Sequence, residues 1–103
     1  MSAQLTIIER PTEPESYWDL AALPAGSMWR VPEHDLPDRE CWRIVLPNMA
    51  GLWETTERAG RSGMLWSVTG IAPALTVTPS LNAGDGPGEG NWHGWITNGA
   101  MTP

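Results

Sequence analysis

Apart from its hydroxyl side chains, the groups this chain brings to reactive chemistry are one cysteine, two histidines, twelve acidic residues and six arginines. A metal site would draw on Cys41, His34, His93, Asp35 and Asp38. Zinc sites announce themselves by close ligand spacing, and the chain has no C-x-x-C and no H-x-x-x-H. Cys41, in a strand-like run, reads as a small buried hydrophobe. His34 sits in a charged loop and reads as solvated. His93 lies between tryptophans in Trp92-His93-Gly94-Trp95, where a half-buried ring bonded to backbone or stacked on an aromatic is expected. No strained Gly-x-Ser-x-Gly elbow presents a serine nucleophile. Cys41 lies in no local signature that pairs it with a base. The acidic pairs Glu54/Glu57 and Glu13/Glu15 read as solvated edges rather than an acid–base couple. Gly84, Gly86, Gly88 and Gly90 alternate, which is not the spacing of a phosphate loop, and Asp85 and Glu89 would repel a phosphate. Two carboxylates are too few for calcium. No catalytic residue, no metal and no cofactor is therefore expected.

Binding is the alternative chemistry. The 103 residues include seven tryptophans and no phenylalanine. Tryptophan and arginine are enriched where protein interfaces concentrate their energy. A binding patch would take Trp53, Trp92, His93 and Trp95 with Arg43 or Arg61. Against this, Trp29, Trp42, Trp66 and Trp92 alternate along strands and read as core in place of phenylalanine. Trp92 belongs to both readings. Trp95 is the main candidate left for a surface, and Trp53 the second.

Charge narrows the partners. The formal net charge is -6 and every basic residue is arginine. An acidic chain lacks the basic footprint that phosphate backbones require, so no nucleic acid is expected. An acidic mimic of DNA, blocking a DNA-binding enzyme, is the one reading that uses the charge. No apolar run reaches the roughly 20 residues of a membrane span. The N-terminal stretch lacks the make-up of a signal peptide. A lone cysteine excludes an internal disulfide. The absence of lysine and phenylalanine, both encoded by A/T-rich codons, points to a G+C-rich source.

The elements that must position these residues are short. Residues 1–26 read as an N-terminal arm: a β-prone run at residues 5–8, a capping-box spacing at residues 12–15 and two helical turns closed by Pro24 and Gly26. Residues 27–103 read as a β core, with strands expected near 28–31, 41–46, 52–56, 64–69, 75–78, 92–97 and 100–102. Along 41–46, Trp42, Ile44 and Leu46 share one face; Cys41, Arg43 and Val45 share the other. Pro79 is expected to end the ladder of its strand. Asn98-Gly99 is the strongest hairpin signal. The expected fold is mainly β: one domain, a small antiparallel sandwich or half-barrel of six or seven short strands with one short N-terminal helix.

The segment from Trp66 through Thr78-Pro79-Ser80 to Asn82, followed by Trp92-His93-Gly94-Trp95-Ile96-Thr97-Asn98-Gly99, resembles the DUF6527-type family of small bacteriophage and prophage proteins. The resemblance spans about residues 64–102. Many members have additional cysteines that look like a structural zinc site; here Cys41 stands alone and Trp92 replaces the cysteine before His93, so the metal is expected to be absent. The family has no established activity to carry over. The resemblance implies a phage accessory protein in the host cytoplasm or the virion, acting by binding a virion or host protein or a second copy of itself. The competing expectation is a small hydrolase using His93 with a carboxylate such as Asp85 or Asp35.

Overall fold

The alternating runs fold as strands, and the computed structural model describes residues 3–12, 17–59, 63–83 and 90–103. In chain order come β1 (Ala3–Gln4), β2 (Thr6–Ile7), α1 (Tyr17–Ala21), β3 (Ser27–Arg30), a 3₁₀ turn (Pro32–His34), β4 (Trp42–Val45) and β5 (Leu52–Glu54). After these come β6 (Arg58–Ala59), β7 (Met64–Leu65), β8 (Ser67–Thr69), β9 (Thr76–Asn82), β10 (His93–Thr97) and β11 (Ala100–Thr102). A five-stranded sheet has the order β1-β11-β10-β9-β8, and a four-stranded sheet the order β2-β3-β4-β5. β6 and β7 form a separate antiparallel pair. The mainly β architecture matches the expectation, with more and shorter strand segments than six or seven.

The two sheets face each other across one core. Met28, Ile44, Leu46 and Trp53 from the four-stranded sheet meet Val77, Leu81, Ile96 and Met101 from the five-stranded one. The period-two alternation of β4 then puts Cys41 and Val45 on the opposite face, with Trp29 and Val31. Leu20 and Leu23, on and just after α1, pack against that second cluster. The four-stranded sheet is therefore covered on both faces, which is why residues 41–46 read as nearly continuous apolar sequence.

Three expectations are corrected. The β-prone run at residues 5–8 does not form one strand. β1 pairs antiparallel with β11, and β2 pairs parallel with β3. The chain steps from one sheet to the other at Leu5, which is buried in the main core. The parallel pair is compatible with the chain's connectivity because the long connection through α1 supplies the crossover that parallel strands need. Second, residues 64–69 are split at Trp66 between β7 and β8, which belong to different sheets. Third, Pro79 does not end its strand. β9 runs through it, and the pairing with β10 slips between Gly94↔Leu81 and Ile96↔Val77. Three residues of β9 there oppose the single residue Trp95. A proline without an N–H is tolerated where the ladder is already interrupted by a bulge.

Other signals are met. Asn98 and Gly99 both have positive φ, 48° and 82°, as a type I′ turn between β10 and β11 requires. Gly94 lies against the Trp92 ring and the Thr102 carbonyl, so a Cβ there would overlap both. The capping-box spacing at 12–15 and the glycine-rich tip, with Gly84, Gly86, Gly88, Asp85 and Glu89, lie wholly or mostly outside the described residues. No described helix is long and apolar enough to cross a membrane.

Candidate functional site

β10 alternates strictly between inside and outside. Gly94 and Ile96 are buried; His93, Trp95 and Thr97 face outward. Trp95 is 46% exposed, the largest exposed aromatic among the described residues. Its ring stacks on His93, with centroids 5.6 Å apart and planes 25° from parallel. The irregular stretch of β9 brings Ser80 alongside, and Ser80 Oγ lies 2.9 Å from His93 Nε2. The hydroxyl fixes one ring nitrogen while the indole covers a ring face. A strand-borne tryptophan held this way loses little further freedom on binding, which is the economy that makes rigid aromatics good interface anchors.

The other expected binding residues scatter. Trp53 is 4% exposed and belongs to the main core, edge-on to Trp66 at 5.6 Å. Trp92 is 6% exposed and also in the core. Neither can form a contact surface, which corrects their place in the patch. Their indole nitrogens are buried without a hydrogen-bond partner. Trp29 is buried as expected, whereas Trp42 and Trp66 pack only partly buried against the core. Arg43 lies on the far side of the four-stranded sheet and is held in an ion pair with Glu54. Arg61 lies outside the described residues. Of the expected patch, the structure joins His93 and Trp95, and adds Ser80.

The polar partner that the structure shows for His93 is a hydroxyl. Asp35, one of the carboxylates considered for it, is committed elsewhere: both its oxygens accept from Arg30, and Oδ1 also accepts from the Cys41 amide at 2.6 Å. Asp85 lies outside the described residues. Two grooves, of about 400 and 250 Å³, are lined by residues including Arg39, Trp42 and Ile71 and by Trp53, Glu57 and Trp66 respectively. His93 lines neither.

A second polar constellation forms on the far face of the four-stranded sheet. The hairpin register sets Arg43 directly opposite Glu54. Glu54 Oε1 accepts from the Arg43 guanidinium, Nε at 3.1 Å and Nη2 closer still. The 3₁₀ turn at Pro32–His34 folds back so that His34 Nδ1 lies 3.1 Å from Glu54 Oε2. Cys41 Sγ points at the same oxygen, at 3.7 Å, and receives a hydrogen bond from Thr56 Oγ1 at 3.3 Å. Burial pushes the Cys41 thiol above its ordinary range, with the Glu54 carboxylate adding to the effect. A protonated, buried thiol is a poor nucleophile. Burial also works against the charge on Glu54, but Arg43 and His34 outweigh it and its carboxyl titrates low.

Sequence reasoning missed Ser80 and Thr56, and it read Glu54 as a solvated edge where the structure pairs it with Arg43 and His34. The Arg43–Glu54 pairing rests on a four-residue loop, residues 47–50, that sets Leu46 opposite Gly51; a two-residue turn at Pro47-Asn48 would have set Arg43 opposite Leu52 instead. Compared with protein-family models, with curated proteins and with solved structures, the chain finds no match.

Proposed function

We propose that this chain is a protein-binding module rather than an enzyme, and that it docks through the outer face of its five-stranded sheet. One observation carries the reading: Trp95 stands exposed in mid-strand, stacked on His93, beside Ser80. β10 fills the core with Ile96 from its other side, so the exposed part of Trp95 faces outward where a partner can reach it. The resemblance to small phage proteins supports a setting in the host cytoplasm or virion, with a virion protein, a host protein or a second copy as partner.

The acidic-mimic reading is weaker. Acids of the 33–54 region are paired with arginine, in Arg10–Glu33, Arg30–Asp35, Arg39–Asp38 and Arg43–Glu54. Paired acids do not present the bare negative stripes of a phosphate backbone. A hydrolase reading is favoured by one observation, the Ser80–His93 hydrogen bond. That bond is on an exposed strand face, where a nucleophile has little protection from water.

The test compares Trp95→Ala and Ser80→Ala with the unaltered chain. Binding is measured by pull-down against host lysate and purified virions, and self-association by sedimentation. A partner or dimer held by the unaltered chain and lost with Trp95→Ala is the expected result. A hydrolytic activity abolished by Ser80→Ala, with no Trp95-dependent binding, would replace this reading with the enzyme.

A further inference from the structure

We propose that His34, Cys41 and Glu54 form a binding site for one borderline divalent transition-metal ion, of which zinc is the type. The three donor atoms come from three separate elements: the 3₁₀ turn, the residue preceding β4, and β5. They lie within 4.8 Å of one another.

The geometry is close to what such an ion needs. Tetrahedral bonds of about 2.0–2.3 Å place neighbouring ligand atoms roughly 3.3–3.7 Å apart. Here His34 Nδ1 is 3.1 Å and Cys41 Sγ 3.7 Å from the same Glu54 oxygen, Oε2. The donor set of one sulfur, one imidazole nitrogen and one carboxylate oxygen suits zinc and its neighbours and is poor for calcium or magnesium.

Supporting contacts of the kind working metal sites use are in place around Glu54 and Cys41. Arg43 holds Glu54 through Oε1, which leaves Oε2 to the cysteine, while His34 Nδ1 faces both oxygens, at 3.2 Å from Oε1 and 3.1 Å from Oε2. Thr56 Oγ1 donates to the sulfur. The Cys41 amide donates to Asp35, itself clamped by Arg30, which fixes the backbone that carries the thiol. Charge also favours the ion. A thiolate and a carboxylate bring two negative charges to the ion, the carboxylate's shared with Arg43, and the thiol proton is released to solvent on binding. The imidazole is half exposed, the carboxylate less so, and Cys41 is fully buried. An ion would therefore enter from the His34 side. Three protein donors leave a fourth position for solvent or another ligand.

Cobalt(II) chloride is the probe, because a thiolate bound to cobalt gives a sulfur-to-metal charge-transfer band in the near ultraviolet. The full chain, reduced, is titrated and the band followed. The expected result is one ion per chain, lost with Cys41→Ser and weakened at least about tenfold with His34→Ala or Glu54→Gln, in line with the cost of disturbing a metal's ligand shell. His93→Ala should leave it unchanged. Zinc should raise the melting temperature of the unaltered chain by clearly more than that of His34→Ala at the same concentration. Cys41 is buried and its variant can misfold, so His34→Ala, at an exposed side chain, decides. No charge-transfer band, or a band equally strong in His34→Ala, overturns the proposal, as does a band that depends on His93 instead.

Discussion

Two tryptophans that look alike in the sequence are predicted to behave in opposite ways. Trp53 is buried against Trp66, and Trp95 stands in solvent. Truncating a buried tryptophan costs about 3–5 kcal/mol, a large share of the ~5–15 kcal/mol that holds a domain folded. Trp53→Ala is therefore expected to lower the unfolding midpoint by the equivalent of about 3–5 kcal/mol, whereas Trp95→Ala should change stability by no more than about 0.5 kcal/mol. Denaturant unfolding curves of the two variants measure the difference. Asp35 gives a second residue-scale prediction. Its hydrogen bond from Arg30, and then that from the Cys41 amide, hold its carboxyl down at about 2, against an ordinary value near 3.8. A carboxyl depressed by folding stabilises the native state above its unfolded value, and that stability is lost as the pH falls through the folded one. Asp35→Asn should thus melt below the unaltered chain at neutral pH. The gap should close as the pH drops from near 4 to about 2. A gap independent of pH would mean that the charge on Asp35 does not contribute.

At the scale of elements, the turn and the glycine between two tryptophans make the sharpest demands. A Cβ on Gly94 would overlap the Thr102 carbonyl and the Trp92 ring, one backbone and one packed in the core. Neither yields cheaply, so Gly94→Ala should cost about 1–3 kcal/mol or more, the range for overpacking a filled interior. Thermal melts of Gly94→Ala and of a control such as Gly90→Ala test it; Gly90 has open space, and its φ of 94° leaves only backbone strain. These demands were legible, because Asn98-Gly99 and Trp92-His93-Gly94-Trp95 are local patterns. Strand alternation was legible for the same reason, and it correctly divided Trp42, Ile44 and Leu46 from Cys41 and Val45. What stayed hidden depends on pairing between distant segments. Pro79 looked like a strand end because a bulge can only be seen against β10. Ser80 meets His93 as its diagonal neighbour on one sheet face, which only the register His93↔Asn82 reveals. Likewise His34, Cys41 and Glu54 are brought together by a turn, a strand start and a hairpin register, and no spacing within one segment encodes their meeting.

For the whole molecule, the radius of gyration of 12.8 Å is close to the ~13 Å expected of one domain of about 100 residues. The sequence suggested an arm of 26 residues leading into a β core. Residues 3–8 instead join the two halves of the sandwich. The Leu5 amide donates to the Gly99 carbonyl at 2.8 Å, on the five-stranded sheet, while the Thr6 and Ile8 amides donate to Gly26 and Met28 beside β3. Leu5 fills the main core between them. A chain beginning at Glu9 would leave β11 and β3 as bare edges, each open to pairing with another molecule. It would also lose a core leucine, a change that even as Leu5→Ala in the full chain should cost about 2–5 kcal/mol. The expected result is that the shortened chain shows no cooperative melt or aggregates, while Leu5→Ala keeps a single transition at lower temperature. A dispensable arm makes the opposite prediction: the shortened chain would melt cooperatively at the full-length temperature. Because β1 and β2 touch different sheets within five residues, the two sheets should also unfold together. Circular dichroism and tryptophan fluorescence, with Trp29 in the second cluster and Trp53 and Trp92 in the first, should then trace coincident transitions.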